Sequence, residues 1–361
     1  MRQRKADTPT VSTRHGRGCH TDWPFVSVII PMRNEEHAIG ACLDSILAST
    51  YPERFEILIV DGISDDDSTE VVSQYKEGDS DIHLLSNPDR IQAAAMNIGI
   101  FHARGDIVLR MDAHATYPPD YIRNCVDLLI TSGADNVGGV QAAVGQGRFG
   151  QAVAAAMNSR FGAGDAKYRT ASKAHYVDSV ILGAWRKETL IRLGGFRQDW
   201  AGNEDYELNI RLRAAGGRVL FDPSIRYRYG VRESPWALAK QYRTHGFYKA
   251  RTLREYPDTL RWRQMAPPVM VAALIASPLA AVVDWRLALI PVGVYGLGLA
   301  MASVLTARRR GWSLLPFPPA VFATMHMSWG LGFWHGVTRW GPPMIGPGRI
   351  FGALRRRDQR A

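Results

Sequence analysis

Cysteine is scarce in this 361-residue chain: Cys19, Cys42 and Cys125 stand far apart, and no Cys-x-x-Cys pair occurs. That spacing gives no support to a disulfide framework or a zinc knuckle, so reduced thiols facing a cytoplasm are the expectation. The first twenty residues hold no apolar run, and no cleavable secretory leader is read there. No Gly-x-Gly-x-x-Gly follows the first apolar strand and no Gly-x-x-x-x-Gly-Lys-Ser/Thr occurs, which removes the dinucleotide-binding and P-loop readings. Glycine and proline, 34 and 20 of them, follow no triplet period, so a collagen-like chain is excluded.

Acidic residues are also in short supply, 34 against 44 basic, giving a net charge of +10. The excess sits in three places. Residues 1–20 carry five basic residues and one acidic, residues 349–360 five Arg and one Asp, and Arg308–Arg310 add three more. The remainder is near neutral, which argues against a nucleic-acid-binding face. At 46% hydrophobic and 22% charged, the chain can bury a core, and its length fits one or two domains.

Hydropathy divides the chain. Met265–Val283 and Leu287–Ala307 contain no charged residue, and only Asp284, Trp285 and Arg286 separate them. A bilayer core takes about 20 apolar residues in a helix, so the pair predicts a membrane hairpin with a tight turn. A pair of buried soluble helices is the alternative. Arg261 and Arg263 before the hairpin and Arg308–Arg310 after it predict both ends on the cytoplasmic side of an inner membrane. A third uncharged stretch, 314–336, starts among Pro316, Pro318 and Pro319; spanning would put Arg355–Arg357 outside, so a re-entrant or interfacial segment is favoured. The expected organisation is a disordered basic arm at 1–21, a soluble domain at 22–260, a membrane region at 261–340 and a basic tail at 341–361.

Within 22–260, apolar β-rich runs alternate with helical patterns. Strands are expected at Phe25–Pro31, Glu56–Asp61, Ile82–Leu85 and Ile107–Met111. Helices are expected at Ala38–Leu47, Ser68–Tyr75, Ile91–His102 and Tyr121–Leu129. This alternation predicts an α/β fold with a mostly parallel sheet covered on both faces. Ligands bind such sheets at the carboxyl ends of the strands. There the sequence places Pro31-Met32-Arg33-Asn34-Glu35, Asp61-Gly62-Ile63-Ser64-Asp65-Asp66 and Asp112-Ala113-His114. One acidic loop is an ordinary solvated turn; three on one edge point to a site. Asp112 and His114 could share a divalent cation, and oxygen with imidazole leans toward Mn²⁺ over Mg²⁺. The other reading of His114 is a supporting or substrate contact.

Gly202–Leu212 opens with Asn203, a suitable N-cap, and Glu204 and Asp205 suit the dipole of a first helical turn. Asp205 shares a face with Leu208 and Leu212, and a carboxylate on an apolar face reads as a general base. Gln241–Arg251 interleaves basic and aromatic residues ahead of the apolar stretches. It fits a juxtamembrane helix on anionic lipid, and equally cations that reach a diphosphate.

Taken in order, PMRNE, VDGISDD, MDAH and NEDYELNIRLR resemble a family 2 glycosyltransferase of the GT-A fold, over roughly residues 24–255. RMDAHATYPPDYI, LGAWRKE with LGGF, NEDYELNIRLRAAGG and QYRTHGFYKAR resemble the succinoglycan-biosynthesis glucosyltransferases more closely. The resemblance implies a GT-A nucleotide-sugar-binding domain followed by an α-helical membrane region, with a UDP-sugar donor, a lipid-linked saccharide acceptor and a divalent metal. Pro31, Arg33, Glu35 and Asp61 would line the nucleotide pocket, Asp112 and His114 would meet metal and diphosphate, and Lys249 and Arg251 would assist the leaving group. Asp205, with Glu204 beside it, would be the base. His114 stands where the family has the second Asp of its Asp-x-Asp, and the Gln-x-x-Arg-Trp of processive synthases is absent, which implies addition of a single hexose. A polyprenyl-phosphate sugar synthase and a non-catalytic membrane-tethered nucleotide-sugar scaffold are the alternatives.

Overall fold

The structure, a computed structural model, describes residues 22–79, 81–163 and 173–343. The basic arm at 1–21, most of the basic tail at 341–361, Cys19 and Arg355–Arg357 lie outside the described residues.

The strands are β1 (Val26–Met32), β2 (Phe55–Asp61), β3 (Ile82–Ser86), β4 (Ile107–Arg110), β5 (Ala115–Thr116), β6 (Asn136–Val144), β7 (His175–Tyr176), β8 (Ala184–Arg186) and β9 (Val219–Gly230). They form one sheet in the order β3-β2-β1-β4-β8-β6-β9-β5, with β7 beside β9. The β3, β2, β1 and β4 strands are mutually parallel, as the alternating pattern predicts. The short β8 runs antiparallel between β4 and β6, and β6 and β9 are parallel again. Because β8 reverses the direction twice, β6 and β9 point the same way as β4, and their carboxyl ends reach the same edge.

Helices α1 (Ile39–Leu47), α2 (Ser68–Gly78), α3 (Gln92–His102), α4 (Tyr121–Thr131), α5 (Gly147–Met157), α6 (Arg160–Ala163), α7 (Lys187–Arg192) and α8 (Glu204–Ala214) belong to the α/β body. Successive strand residues face opposite sides. Val28, Ile30, Ile57, Ile59 and Leu109 therefore join one core layer with α1 and α4. Ile29, Leu58, Val60 and Val108 join the other, with α3 and Leu208 and Leu212 of α8. Burial on both faces explains why these strands read as continuous apolar runs.

From Pro235 the chain is helical: α9 (Pro235–Glu255), α10 (Ala266–Val283), α11 (Trp285–Arg310) and α12 (Pro318–Trp340). Ser234 caps α9 by accepting a hydrogen bond from the Ala237 amide, and Pro235 fits the first turn, where its missing N–H is no loss. By length and composition, α10 and α11 can each cross a membrane; their mean hydropathies are 2.0 and 1.9. The turn between them is tighter than the expected three residues. Asp284 alone leaves helical geometry and accepts from the Arg286 amide, so α11 begins at Trp285.

The third apolar stretch adopts an arrangement the sequence did not disclose. It forms α12, which packs lengthwise on α9. A Cβ at Gly246 would come within 2.0 Å of the Trp329 carbonyl oxygen, one at Gly332 within 2.1 Å of that of Arg243, and one at Gly336 within 2.5 Å of that of Phe247. Only glycine allows backbones this close. The same helix meets α10, where Gly330 lies against Val271 and the Trp334 indole donates to the Pro268 carbonyl (2.9 Å). Gln241–Arg251 is thus the middle of α9, and one of its faces is covered by protein.

Candidate active site

Two loops close the carboxyl edge of β1 and β2. The Asn34 amide donates to Ser64 Oγ (2.9 Å), and the Asp65 amide to Asn34 Oδ1 (3.0 Å). The Glu35 amide donates to Ser68 Oγ (2.8 Å), and Asp66 accepts from the Glu36 and Ser68 amides. Asp66 therefore serves the loop and the start of α2. Asn34 and Ile63 adopt φ of 55° and 56°. For the β-branched Ile63 this left-handed conformation is a strained one, of the kind found at functional sites. Pro31 stands opposite Val60, one residue before β1 ends at Met32 opposite Asp61, and Arg33 is exposed above Gly62. Asp61 accepts from both the amide and the hydroxyl of Ser64, at 3.1 and 2.6 Å.

Asp112 follows β4 and is nearly buried. Its backbone amide donates to the Tyr117 hydroxyl (2.7 Å), which fixes the chain direction at the strand end. Two residues on, His114 Nδ1 lies 3.0 Å from Glu35 Oε1, while its Nε2 is buried without a hydrogen-bond partner among the described residues. A carboxylate on one imidazole nitrogen with the other left free is the arrangement that orients a metal-ligating histidine. Among the described residues no group of three His, Cys, Asp or Glu gathers to hold an ion.

Arg110, the last residue of β4, was not singled out from the sequence. It pairs with Ile29 across β1 and so faces the α3 and α8 layer. Its guanidinium is buried, donates to Glu204 Oε1 (3.1 Å), and lies 3.4 Å from Asp112 Oδ1. A buried charge needs a partner, and Arg110 has two, on different elements. The available signal was an arginine closing an otherwise apolar strand.

Glu204 and Asp205 occupy the first turn of α8, as expected, but Asn203 is not the expected cap. Its φ of 60° is left-handed and its side chain makes no capping bond; Asp205 Oδ1 instead accepts from the Tyr206 amide (2.7 Å). Leu208 and Leu212 are buried beneath the half-buried Asp205. Burial raises the Asp205 pKa first, and Glu204 adds to it; the Arg110 charge opposes them without cancelling them.

On α9, Lys249 is buried with its ammonium 4.5 Å from the centre of the Tyr206 ring. Burial alone lowers its pKa, to about 7. Arg251 is held by Asp199 and by Glu255 (2.9 Å) and lies over the Trp200 ring (4.7 Å). The expectation that both cations reach a diphosphate meets a different geometry. Arg251 braces the loop before α8, and Lys249 sits behind Tyr206.

Residues 27–192 match the family described as glycosyl transferase family 2. The succinoglycan biosynthesis protein ExoA of Rhizobium meliloti is 32% identical over 309 residues, 85% of this chain and 93% of that protein. The chain belongs to glycosyl transferase family 2. A second relative of this transferase is the dolichyl N-acetyl-alpha-D-glucosaminyl phosphate 3-beta-D-2,3-diacetamido-2,3-dideoxy-beta-D-glucuronosyltransferase of Methanococcus voltae. It is 28% identical over 250 residues, 66% of this chain and 77% of that one. Among solved structures, the mannosyltransferase PcManGT from Pyrobaculum calidifontis, in complex with GDP-Man and Mn²⁺, superposes with a TM-score of 0.59 at 21% identity. The match covers 88% of both chains. That likeness establishes the GT-A fold of the transferase.

Proposed function

We propose that this transferase moves a hexose, glucose first among them, from a UDP-sugar to a lipid-linked saccharide in exopolysaccharide biosynthesis, with inversion at the anomeric carbon. The observation that carries the reading is the Arg110 bridge. It holds Asp112, at the end of β4, and Glu204, at the start of α8, within one buried cluster beside Asp205.

In this reading Asp205 removes the proton from the acceptor hydroxyl as its oxygen attacks opposite the leaving diphosphate. Such help is worth about 10²–10⁴-fold in rate. Its raised pKa makes the carboxylate a stronger base than an exposed one. Glu204, engaged by Arg110, orients the turn. Pro31, Arg33, Glu35 and Asp61 form the nucleotide side. Asp112 and the free Nε2 of His114 would hold a divalent cation, Mn²⁺ or Mg²⁺. The donor set fits, because Glu35 already fixes the imidazole and among the described residues no other group occupies Nε2. When bound, such an ion supplies positive charge to the departing diphosphate.

The α10–α11 hairpin would hold the α/β body at the cytoplasmic face of the inner membrane, where lipid-linked acceptors present their head groups. ExoA, by its name a succinoglycan biosynthesis protein, supports this placement in polysaccharide assembly. Membranes containing the protein, given a panel of radiolabelled UDP-sugars, should move label from one of them into the lipid fraction. Label retained wholly in water-soluble products, or UDP released at the same rate without acceptor, would overturn the reading. A Trp285→Cys variant should react with a membrane-impermeant thiol reagent added outside intact cells. Cys42 and Cys125 are both buried and carry raised pKa values, so they stay silent whichever side the domain occupies.

A further inference from the structure

Helix α8 carries Asp205, yet Asn203, at its N-cap position, makes no capping bond. The first turn therefore takes its direction from what holds the chain around it. From β4, Arg110 holds Glu204. Ahead of α8, residues 197–202 are fastened to α9, the helix that leads to the membrane region. Arg251 of α9 donates to both the carbonyl and the carboxylate of Asp199, and its Nε donates to Glu255 Oε1 (2.9 Å). Arg197 completes the ring, donating to Asp199 Oδ2 (2.8 Å) and to Glu255 Oε2 (2.7 Å). Acid and guanidinium alternate, with one of each on the segment and one of each on α9.

Beside this ring Trp200 is wholly buried, and the Arg251 Cζ lies 4.7 Å from its ring centre. The same Cζ lies 5.7 Å from the ring of Trp340, the last residue of α12. Trp340 in turn meets Phe247 and Tyr248 of α9, at 4.1 and 5.7 Å between ring centres. Gly202 lies against Tyr248, where a Cβ would come within 2.7 Å of that ring. A second tie reaches α8 itself. The Tyr256 hydroxyl, just past the end of α9, donates to Glu207 Oε1 (3.0 Å), a wholly buried carboxylate that also accepts from Arg211 (2.8 Å).

Ion pairs near a surface contribute little to stability one by one, and the Asp199 side chain is 52% exposed. The Arg251 side chain, by contrast, is only 13% exposed, takes acids from two segments with one fork and has an indole ring on two sides. A planar guanidinium can do this and an ammonium cannot.

We propose that Arg251 is a positioning residue for Asp205: it fastens the segment that delivers the base to the paired helices α9 and α12, so that the seating of those helices sets where the base stands. This inference rests on Asp205 as the base of the proposed function. Arg251 acts through Asp199 and Trp200, the latter five residues ahead of Asp205. A displacement of about 1 Å at a reacting group costs on the order of 10²-fold in rate, so a loosened fastening shows in turnover before it shows in stability.

The test uses the full chain with Arg251→Gln, Arg251→Lys, Asp199→Ala and the Arg251→Gln/Asp199→Ala pair. With the UDP-sugar that labels the lipid fraction, kcat should fall about 10-fold or more in Arg251→Gln, while the donor KM and the binding of UDP alone hold. Arg251→Lys, which keeps the charge and loses the fork, should be as slow. Asp199→Ala should show the same loss, and the pair should be no slower than the slower single variant, because the two side chains act as one unit. Asp199 is half exposed, so this variant keeps the test open where an Arg251 variant melts early. Without donor, the amides of residues 200–206 should exchange with deuterium about 10-fold faster in Arg251→Gln, and those of β1 and β2 at the wild-type rate. UDP binding that weakens while kcat holds, or turnover restored by Arg251→Lys, would make Arg251 a charge on the leaving diphosphate and overturn the positioning role. Unchanged exchange at 200–206 would overturn it as well. Faster exchange there in a protein that transfers no sugar would refute the proposed function and leave Arg251 as the residue that positions Asp205.

Discussion

Arg110 NH1 lies 3.1 Å from Glu204 Oε1, joining two residues 94 positions apart. The first ends the strand that delivers Asp112; the second starts the helix that delivers Asp205. The guanidinium also offsets the neighbouring acids and lowers the Asp205 pKa through its charge.

Replacing that cation should therefore be visible in the pH profile. Asp205 acts as a base when deprotonated, so activity falls as pH drops through its raised pKa. Removing Arg110 raises that pKa further. In Arg110→Gln the acidic limb of kcat/KM should move up by about 1 pH unit or more. The protein should also lose about 3–5 kcal/mol of stability, because Glu204 stays buried without its partner. Arg110→Lys, which keeps the charge, should keep most of the limb in place.

Asp205→Asn preserves the shape and the Tyr206 amide contact while removing the base. Nucleotide binding and the melting temperature should change little, and turnover should fall by about 10²-fold or more. Near-normal turnover would move the base to Glu204, despite its engagement with Arg110.

The His114 geometry sets a metal test. EDTA should abolish transfer and added Mn²⁺ or Mg²⁺ should restore it. His114→Ala should raise the metal concentration needed for half activity by about 10-fold or more, and Glu35→Gln, which weakens the imidazole's support, should shift it in the same direction. Asp112→Asn should weaken metal-dependent UDP binding. Full activity in EDTA would remove the cation from the mechanism.

Lys249 makes a prediction about stability. Its pKa is about 7 when folded and 10.5 ordinarily. Between these values the unfolded chain binds the additional proton, so stability rises with pH across that window and is lower below it. Lys249→Met should raise the melting temperature at pH 7 and flatten its rise between pH 7 and 9. A variant that melts lower at pH 7 would show that the ammonium has a stabilising partner outside Tyr206.

The α9–α12 crossing can be wedged apart. Gly246→Leu places a side chain where the Trp329 backbone already stands, and overpacking of this kind costs about 1–3 kcal/mol or more. Melting temperature and transfer to lipid should fall together. Gly293→Leu on α11, where a Cβ would meet nothing within 4 Å, is the matched control and should change neither. A chain cut after Tyr256 would expose the α9 face that α12 covers, including Leu253 and Ala250, so its solubility should fall as well.

The sequence by itself determined the parallel β3-β2-β1-β4 half, the acidic strand ends, the helix start at Glu204 and Asp205, and the apolar hairpin. Each is a local pattern: two-sided burial makes strands apolar throughout, strand ends leave polar loops at one edge, and a bilayer demands length without charge. Tertiary structure alone decided the rest. Asn203 gave up its capping role to a left-handed turn. Arg110 found Glu204 across 94 residues. Glycines at 246, 332 and 336 let two helices meet backbone to backbone. In each case the deciding partner is distant in the chain, and residue type gives the capacity for a contact without naming the atom that meets it.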